Sequence, residues 1–88
     1  MKEIFEENLT WKGKLLVFTW HFKDEFEAIN KPIEFILEIL EKGDHHLIGR
    51  KQNKYNVFFP YQHKYLCLSY VEPENVILIH IKPIRREK

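Results

Sequence analysis

The last strand-like segment of the sequence, VILIHIKPIRREK at residues 76–88, carries side chains whose types and spacing could do chemistry. His80 can exchange a proton near neutral pH, and Lys82, Arg85 and Arg86 can hold a phosphate. Cleavage of a phosphodiester without a metal needs a base for the attacking hydroxyl, cations for the charge that builds on phosphorus, and a proton donor for the leaving oxygen. We therefore predict that His80, Lys82 and Arg85 are catalytic residues.

A metal centre is not predicted. None of the five histidines stands in H-x-x-x-H spacing, and Cys67 is the only cysteine. A zinc site would need ligands assembled from distant loops, so we predict no metal and no cofactor.

In the register described below, Cys67 would face His80, which would allow a cysteine–histidine nucleophile. A lone cysteine in a strand is more often a small packing residue.

The size of the chain predicts a single domain that spans residues 1–88. At 88 residues, the chain is long enough to bury a core without disulfides. Its apolar runs are shorter than the ~18 residues that span a bilayer, so no membrane segment is predicted. One cysteine cannot form an internal disulfide, which favours a reducing compartment. We therefore predict a cytoplasmic protein.

Charge is distributed unevenly along a chain whose net charge is +1. Residues 1–41 contain five lysines against nine acids, whereas residues 42–64 contain five cations against Asp44 alone. Such a protein can turn a basic side toward a polyanion. Ordinary mixing of surface charges would give the same composition, so the pattern leaves both interpretations open.

The elements that must position these residues are strands, then helices, then more strands. NLTWKGKLLVFTW is typical of a hairpin or of one bent strand. Phe22, Phe26 and Ile29 recur at helical spacing, and a second helical stripe follows Pro32 and stops at Gly43. After it, HHLIGRK, KYNVFFPY, KYLCLSYV and VILIHIKPI are typical of strands joined by short turns. We predict an α+β fold: a leading strand or hairpin, two helices, and a four-stranded antiparallel meander with the helices on one face.

A register for the last two strands follows if Val71 pairs with Val76. One face would then be apolar and would meet the helices. It would comprise Leu66, Leu68, Tyr70, Ile77, Ile79 and Ile81. The free face would comprise Tyr65, Cys67, Ser69, Leu78, His80 and Lys82. The cations near the end of the chain would thus lie on the free face of a strand whose other face is core.

The segment FTWHFKDEFEAINKPIEFILEILEKGD resembles part of a known family. A strand is followed by a histidine that opens a helix, then by a break ending in Pro-Ile and a second helix ending in Lys-Gly-Asp. Together with the later strands, this order resembles the RelE/ParE superfamily of small bacterial and archaeal toxins, nearest to BrnT-like and related small toxin-like domains. The likeness covers residues 15–82. One departure is that relatives usually carry arginines after the histidine, whereas here Lys23 is followed by Asp24, Glu25 and Glu27.

The resemblance implies a metal-independent ribonuclease, the toxin of a type II toxin–antitoxin pair, in which a 2′-hydroxyl attacks the adjacent phosphate. By position it implies that His21, Arg50 and Arg86 bind the substrate, and Tyr65 could stack on an unpaired base. The expected partners are RNA, free or on the ribosome, and an antitoxin protein, and a homodimer is compatible with the pattern. The acidic first helix would repel RNA if it bordered the site. A non-catalytic protein-interaction or nucleic-acid-binding module of the same fold is therefore the alternative.

Overall fold

The computed structural model describes residues 5–85, which form a six-stranded sheet and two helices. In chain order the elements are β1 (Phe5–Trp11), β2 (Lys14–Phe18), α1 (Trp20–Ile29), α2 (Glu34–Lys42), β3 (Asp44–Gly49), β4 (Lys54–Tyr61), β5 (Lys64–Val71) and β6 (Val76–Ile84). The strands lie side by side in the order β1-β2-β6-β5-β4-β3. Neither α1 nor α2, the helices within this range, has the length and hydropathy of a transmembrane segment.

The predicted fold class is wrong in its sheet. A leading strand or hairpin beside a separate four-stranded antiparallel meander was expected, whereas the structure has one six-stranded mixed sheet. The difference comes from β2, which runs parallel to β6, with Leu16 opposite Val76 and Phe18 opposite Leu78. Parallel neighbours need a long crossover, which the intervening helices and strands supply. Turn signals report only on neighbouring segments, so they could not show a pairing between strands so far apart in sequence.

Both helices pack on the same face of the sheet and share one core. The rings of Phe22 in α1 and Phe18 in β2 meet edge to face, 5.6 Å apart. Phe35 in α2 meets Phe59 in β4 in the same way, at 5.7 Å. The fully covered residues from both layers are Leu16, Phe18, Phe22, Ile36, Ile39, Leu40, Val57, Leu66, Leu68, Tyr70, Val76, Leu78 and Ile81. Burial of such side chains, at about 1.5–3 kcal/mol each, is what holds the helices on the sheet.

Thr19 caps α1 and also joins it to β6. Its Oγ1 accepts a hydrogen bond from the backbone N–H of Phe22 at 3.1 Å, which satisfies a free donor of the first turn. The same hydroxyl donates to the carbonyl oxygen of Leu78 at 2.9 Å. At the other end α1 stops at Asn30, which has a left-handed φ of 62°. The first turn of α1 is therefore fixed next to the middle of β6.

A bulge in β6 changes the predicted register. Tyr70 pairs with Leu78, but the preceding residue of β5, Ser69, pairs with His80. Ile79 is therefore an extra residue without its own partner on β5. An inserted residue shifts the alternation of side chains, so the two halves of β6 follow different parities.

The bulge also exchanges residues between the core and the other face. In β6 the buried residues are Val76, Leu78 and Ile81, each 0% exposed. Leu78, predicted on the free face, therefore belongs to the core. Ile77 and Ile79 were predicted in the core and are only half-buried. Beyond the bulge the predicted alternation holds, because Ile81 is buried and Lys82 is exposed.

Candidate functional site

β6 extends beyond the end of β2, and α1 covers the edge that this leaves. The last pair between the two strands is Phe18 with Leu78, whereas β6 continues to Ile84. On this edge the backbone N–H of Ile81 donates to Oε1 of Glu25 in α1 at 3.0 Å. A covered backbone donor needs an acceptor, and the glutamate supplies the one that a longer β2 would have provided.

The same glutamate brings two histidines together. His21 lies one turn before Glu25 in α1, and its Nε2 is 3.3 Å from Oε2 of the carboxylate. Nδ1 of His80 in β6 is 3.5 Å from Oε1. The two imidazole rings are 4.6 Å apart between centroids and nearly perpendicular, at 86°. We refer to His21, Glu25 and His80 as the histidine–glutamate cluster.

The cluster lies at the surface and leaves one buried atom unsatisfied. The side chain of His21 is 60% exposed and that of His80 is 39% exposed. Nδ1 of His80 is nevertheless buried and has no hydrogen-bond partner among residues 5–85, since its separation from Glu25 does not have hydrogen-bond geometry. A buried nitrogen beside a carboxylate is stabilised by a proton or a cation between the two groups.

His45 shows the contrasting case of a satisfied structural histidine. Its Nε2 lies 2.7 Å from the carbonyl oxygen of Leu40, and its Nδ1 lies 3.0 Å from the hydroxyl of Tyr70. A neutral imidazole fits both contacts by donating to the carbonyl and accepting from the hydroxyl. Burial, aided by the charge of Glu72, raises the pKa of Tyr70, which keeps that hydroxyl a donor. The ring also stacks on Trp11 at 5.4 Å, so His45 is a packing residue.

The composition of the cluster suits a metal ion as well as a hydrogen-bonded carboxylate–histidine group. One ligand atom from each side chain lies within 4.8 Å of the others. Two imidazole nitrogens and one carboxylate form a donor set used by catalytic zinc sites and by non-haem iron sites. Without a metal, a carboxylate of this kind holds imidazole rings in position for proton transfer.

Two of the predicted catalytic residues follow the cluster along β6. Lys82 is exposed and lies opposite Cys67, and Arg85 is exposed just beyond the end of the strand. Tyr65, predicted to stack on a base, lies opposite Ile84. A surface groove of about 430 Å³ is lined there by Lys42, Asp44, Phe58, Pro60, Tyr65, Ile84 and Arg85. We refer to it as the basic groove, because two cations and one carboxylate line it.

The structure does not bring Arg50 to these residues. Arg50 lies in the turn between β3 and β4, and Lys54, which follows that turn, pairs with Val71 at the end of β5 nearest the start of β6. Tyr65 and Ile84 lie at the opposite end of the same strands. The role predicted for Arg50 in binding the substrate stays a prediction, and Arg86 lies outside the described residues.

The predicted pairing of Cys67 with His80 is wrong. Because of the shifted register, Cys67 lies opposite Lys82 and His80 lies opposite Ser69. Burial raises the pKa of the Cys67 thiol, although a hydrogen bond with Ser69 and the charge of Lys82 act against this. A raised pKa leaves less thiolate, so the structure does not favour a cysteine nucleophile.

Glu25 is the residue that sequence reasoning missed. It was interpreted as part of an acidic stretch unfavourable to RNA. The four-residue spacing from His21 places the two side chains on one face of a helix, and this signal was present in the sequence. The contact with His80 depends on the crossover and on the bulge, for which no local pattern exists.

Comparisons with family models, with curated proteins and with solved structures find no match for this chain. The resemblance to RelE/ParE toxins stays a prediction, and the function has to be inferred from the site itself.

Proposed function

We propose that this protein is a ribonuclease that binds single-stranded RNA along the end of β6 and cleaves it beside the histidine–glutamate cluster. One observation carries the proposal. His21 and His80 come from distant segments and meet at the surface, where Lys82 follows on β6 and Arg85 lies just beyond the end of the strand. Neither imidazole is needed to fill the core, since both are partly exposed.

The cations are spaced so that an extended polyanion could follow them. Lys82 is two residues after His80 on the same side of β6, a separation of about 6.6 Å between backbone positions. Arg85 lies past the end of the strand, on the basic groove. Charged hydrogen bonds from such side chains hold phosphates, and they supply most of the affinity in non-specific binding to nucleic acids.

The basic groove favours a single strand over a duplex. Its apolar walls come from Phe58, Pro60 and Tyr65, and Lys42 and Arg85 provide positive charge beside them. An unpaired base can enter and stack on an aromatic side chain while its phosphates stay on the cations, which contributes about 1–3 kcal/mol per base in other proteins. Bases inside a helix are not available for such contacts.

Among nucleic acids, RNA is the one whose cleavage needs the fewest catalytic groups from the protein. It carries its own nucleophile, the 2′-hydroxyl, so the enzyme must position the phosphate and stabilise the charge that develops on it. Lys82 is next to the cluster and can perform the second task. This agrees with the 2′-hydroxyl attack that the resemblance to RelE/ParE toxins implies, and the protein partner implied by that resemblance is an antitoxin.

Binding is tested by the fluorescence anisotropy of a labelled single-stranded RNA at several salt concentrations in EDTA. Replacing Lys82 or Arg85 by alanine should each reduce the slope of log K against log salt by about 0.7, the value for one phosphate contact on a single strand. Lys51→Ala is the matched control, because Lys51 is exposed in the β3–β4 turn at the other end of the sheet. Equal losses in all three variants would show diffuse binding and contradict the proposed surface.

Cleavage is tested with the same RNA and with a 2′-deoxy copy of it, with and without ribosomes. The wild type should cut the RNA and not the copy, because the copy lacks the attacking hydroxyl. A His80→Ala/Lys82→Ala variant that remains folded should lose cleavage. Absence of cutting by folded wild-type protein under every condition would refute the ribonuclease assignment.

The exposed edge of the sheet favours protein association as a second candidate function. β3 is the last strand on its side, and it exposes Leu47 by 46% and Ile48 by 52%. Unpaired strand edges with apolar side chains tend to pair with another chain, and a second copy of this protein would extend the sheet. Light scattering should then show a dimer that Ile48→Lys converts to a monomer, and a strictly monomeric wild type would exclude this candidate.

A further inference from the structure

We infer that the histidine–glutamate cluster binds one divalent transition-metal ion, with zinc as the best fit, through Nε2 of His21, the carboxylate of Glu25 and Nδ1 of His80. The sequence predicts no metal, because no local spacing of ligands is present. The fold assembles the ligands from α1 and from β6. The binding itself is independent of the proposed function, whereas its use in RNA cleavage rests on that function.

The distance from each histidine nitrogen to its nearer oxygen of Glu25 is close to the distance between two ligands of a zinc ion. Zinc binds nitrogen and carboxylate oxygen at about 2.0–2.2 Å in tetrahedral sites, which places neighbouring donors about 3.3–3.6 Å apart. In the structure Nε2 of His21 is 3.3 Å from one oxygen of Glu25, and Nδ1 of His80 is 3.5 Å from the other. One ligand atom from each of the three side chains lies within 4.8 Å of those of the other two. A rotation of the exposed His21 side chain would complete the set.

The unsatisfied nitrogen of His80 is a second observation that fits a cation beside Glu25. Nδ1 is buried, faces a carboxylate and accepts no hydrogen bond from the described residues. The other histidine–carboxylate pair beside a strand shows no such defect, since His46 lies 3.0 Å from Asp44 in a hydrogen bond on the exposed surface. A metal ion would satisfy Nδ1 of His80 and the carboxylate together.

The ligands are held in place by contacts that do not need the ion. The backbone N–H of Ile81 donates to Glu25 at 3.0 Å and so orients the carboxylate, as outer hydrogen bonds do in known metal sites. The hydroxyl of Thr19 ties the first turn of α1 to Leu78, two residues before His80. The spacing between α1 and β6 is thus set by the fold before the metal binds, and only the exposed His21 side chain has to rotate.

Three protein ligands leave at least one coordination position open. This is the arrangement of catalytic rather than structural zinc sites. His21 is 60% exposed, so the open position is accessible from solvent. A bound phosphate oxygen could occupy it while Lys82 contacts the same group.

A bound cation would also resolve the conflict between the acidic α1 and an RNA substrate. Asp24 and Glu25 give this part of α1 negative charge, and Glu27 is already paired with Lys23 at 3.0 Å. A divalent ion on Glu25 would more than offset that carboxylate at the place where the row of cations begins. The charge along β6 would then be positive from the cluster to the basic groove.

The first experiment is a calorimetric titration of tag-free, EDTA-stripped protein with zinc, repeated with cobalt as a spectroscopic probe and without RNA. One ion per chain is expected, with cobalt absorption typical of nitrogen and oxygen ligands. Glu25→Gln should weaken binding by more than about ten-fold, because the amide oxygen still accepts from Ile81 but the charged ligand is gone. His21→Ala, at an exposed position, should do the same without loss of folding.

His46→Ala is the matched control, since it removes a histidine that is paired with a single carboxylate. It should leave the affinity unchanged. Absence of stoichiometric binding, or equal weakening by His46→Ala and His21→Ala, would overturn the inference and show adventitious binding by surface histidines.

The two proposals fail separately. Zinc binding without any binding of RNA would leave the metal site intact and refute the ribonuclease. RNA cleavage in EDTA together with no zinc binding would refute the metal site and leave a metal-free ribonuclease. Nitrogen resonances of the His21 and His80 rings that shift on adding zinc, while those of His46 do not, would support the assignment of ligands.

Discussion

Thr19→Val should loosen α1 from β6, because a single hydroxyl makes both connecting contacts. Oγ1 accepts from the N–H of Phe22 at 3.1 Å and donates to the carbonyl of Leu78 at 2.9 Å. Loss of an N-cap costs about 1 kcal/mol, and loss of a hydrogen bond costs about 1 kcal/mol more. The backbone N–H of Thr19 still reaches the Leu78 carbonyl at 3.4 Å, so that oxygen is not left alone. We therefore expect the free energy of unfolding to fall by about 2 kcal/mol.

Thermal unfolding followed by circular dichroism is the assay for this change. In a domain of this size, about 2 kcal/mol corresponds to a drop of about 8–16 °C in Tm. Thr19→Ser is the matched control, because serine keeps the hydroxyl and should stay close to the wild type. The same loosening should weaken zinc binding, since Thr19 holds the first turn of α1, and with it His21, next to β6. A Thr19→Val protein as stable as the wild type, or a Thr19→Ser protein equally destabilised, would refute the reasoning.

Three further predictions concern the sheet and its contacts. Because the pKa of Tyr70 is raised in the folded state, the free energy of unfolding should decrease as pH rises above the unfolded tyrosine pKa of about 10. In urea unfolding, Tyr70→Phe should show a smaller decrease over the same pH range, because phenylalanine does not ionise. Cys67 should react with iodoacetamide more slowly than a free thiol, and Lys82→Ala should slow it further; a faster reaction would contradict the burial effect. Gly43→Ala should lower the free energy of unfolding by about 1–3 kcal/mol, because the new Cβ would collide with the side chain of Val57. An unchanged Tm would show that the surrounding residues move apart without cost.

The helices could be predicted because their causes are local. The spacing of Phe22 and Phe26 marks one face of α1, and both side chains are buried as that spacing requires. The break before α2 follows from Pro32, which disfavours a helical conformation for the residue before it. These signals lie within a few residues of the structure they determine, so the helix assignments are confirmed.

The sheet could not be predicted in full because its causes are not local. The parallel pairing of β2 with β6 gains its stability from residues such as Leu16 and Val76, which are far apart in sequence. The bulge at Ile79 has no glycine or proline to mark it, and the two residues before it, Ile77 and Leu78, are equally apolar. Alternation along β6 therefore predicts the wrong core residues up to the bulge, Ile77 and Ile79, and the right one after it, Ile81.

Whether a residue of the site could be predicted depends in the same way on whether its position has a local or a distant cause. Lys82 in β6 and Arg85 just beyond it could be assigned to the surface from the sequence around them, and they lie there. Glu25 could not be assigned correctly by counting charges on α1, because such a count treats every carboxylate as facing water. In the structure its two oxygens face the Ile81 N–H and two histidines, so its charge is held inside a cluster. Composition alone counts Glu25 against RNA binding. In the structure it is the carboxylate on which we propose a cation, and that cation would extend the positive charge of Lys82 and Arg85 toward α1.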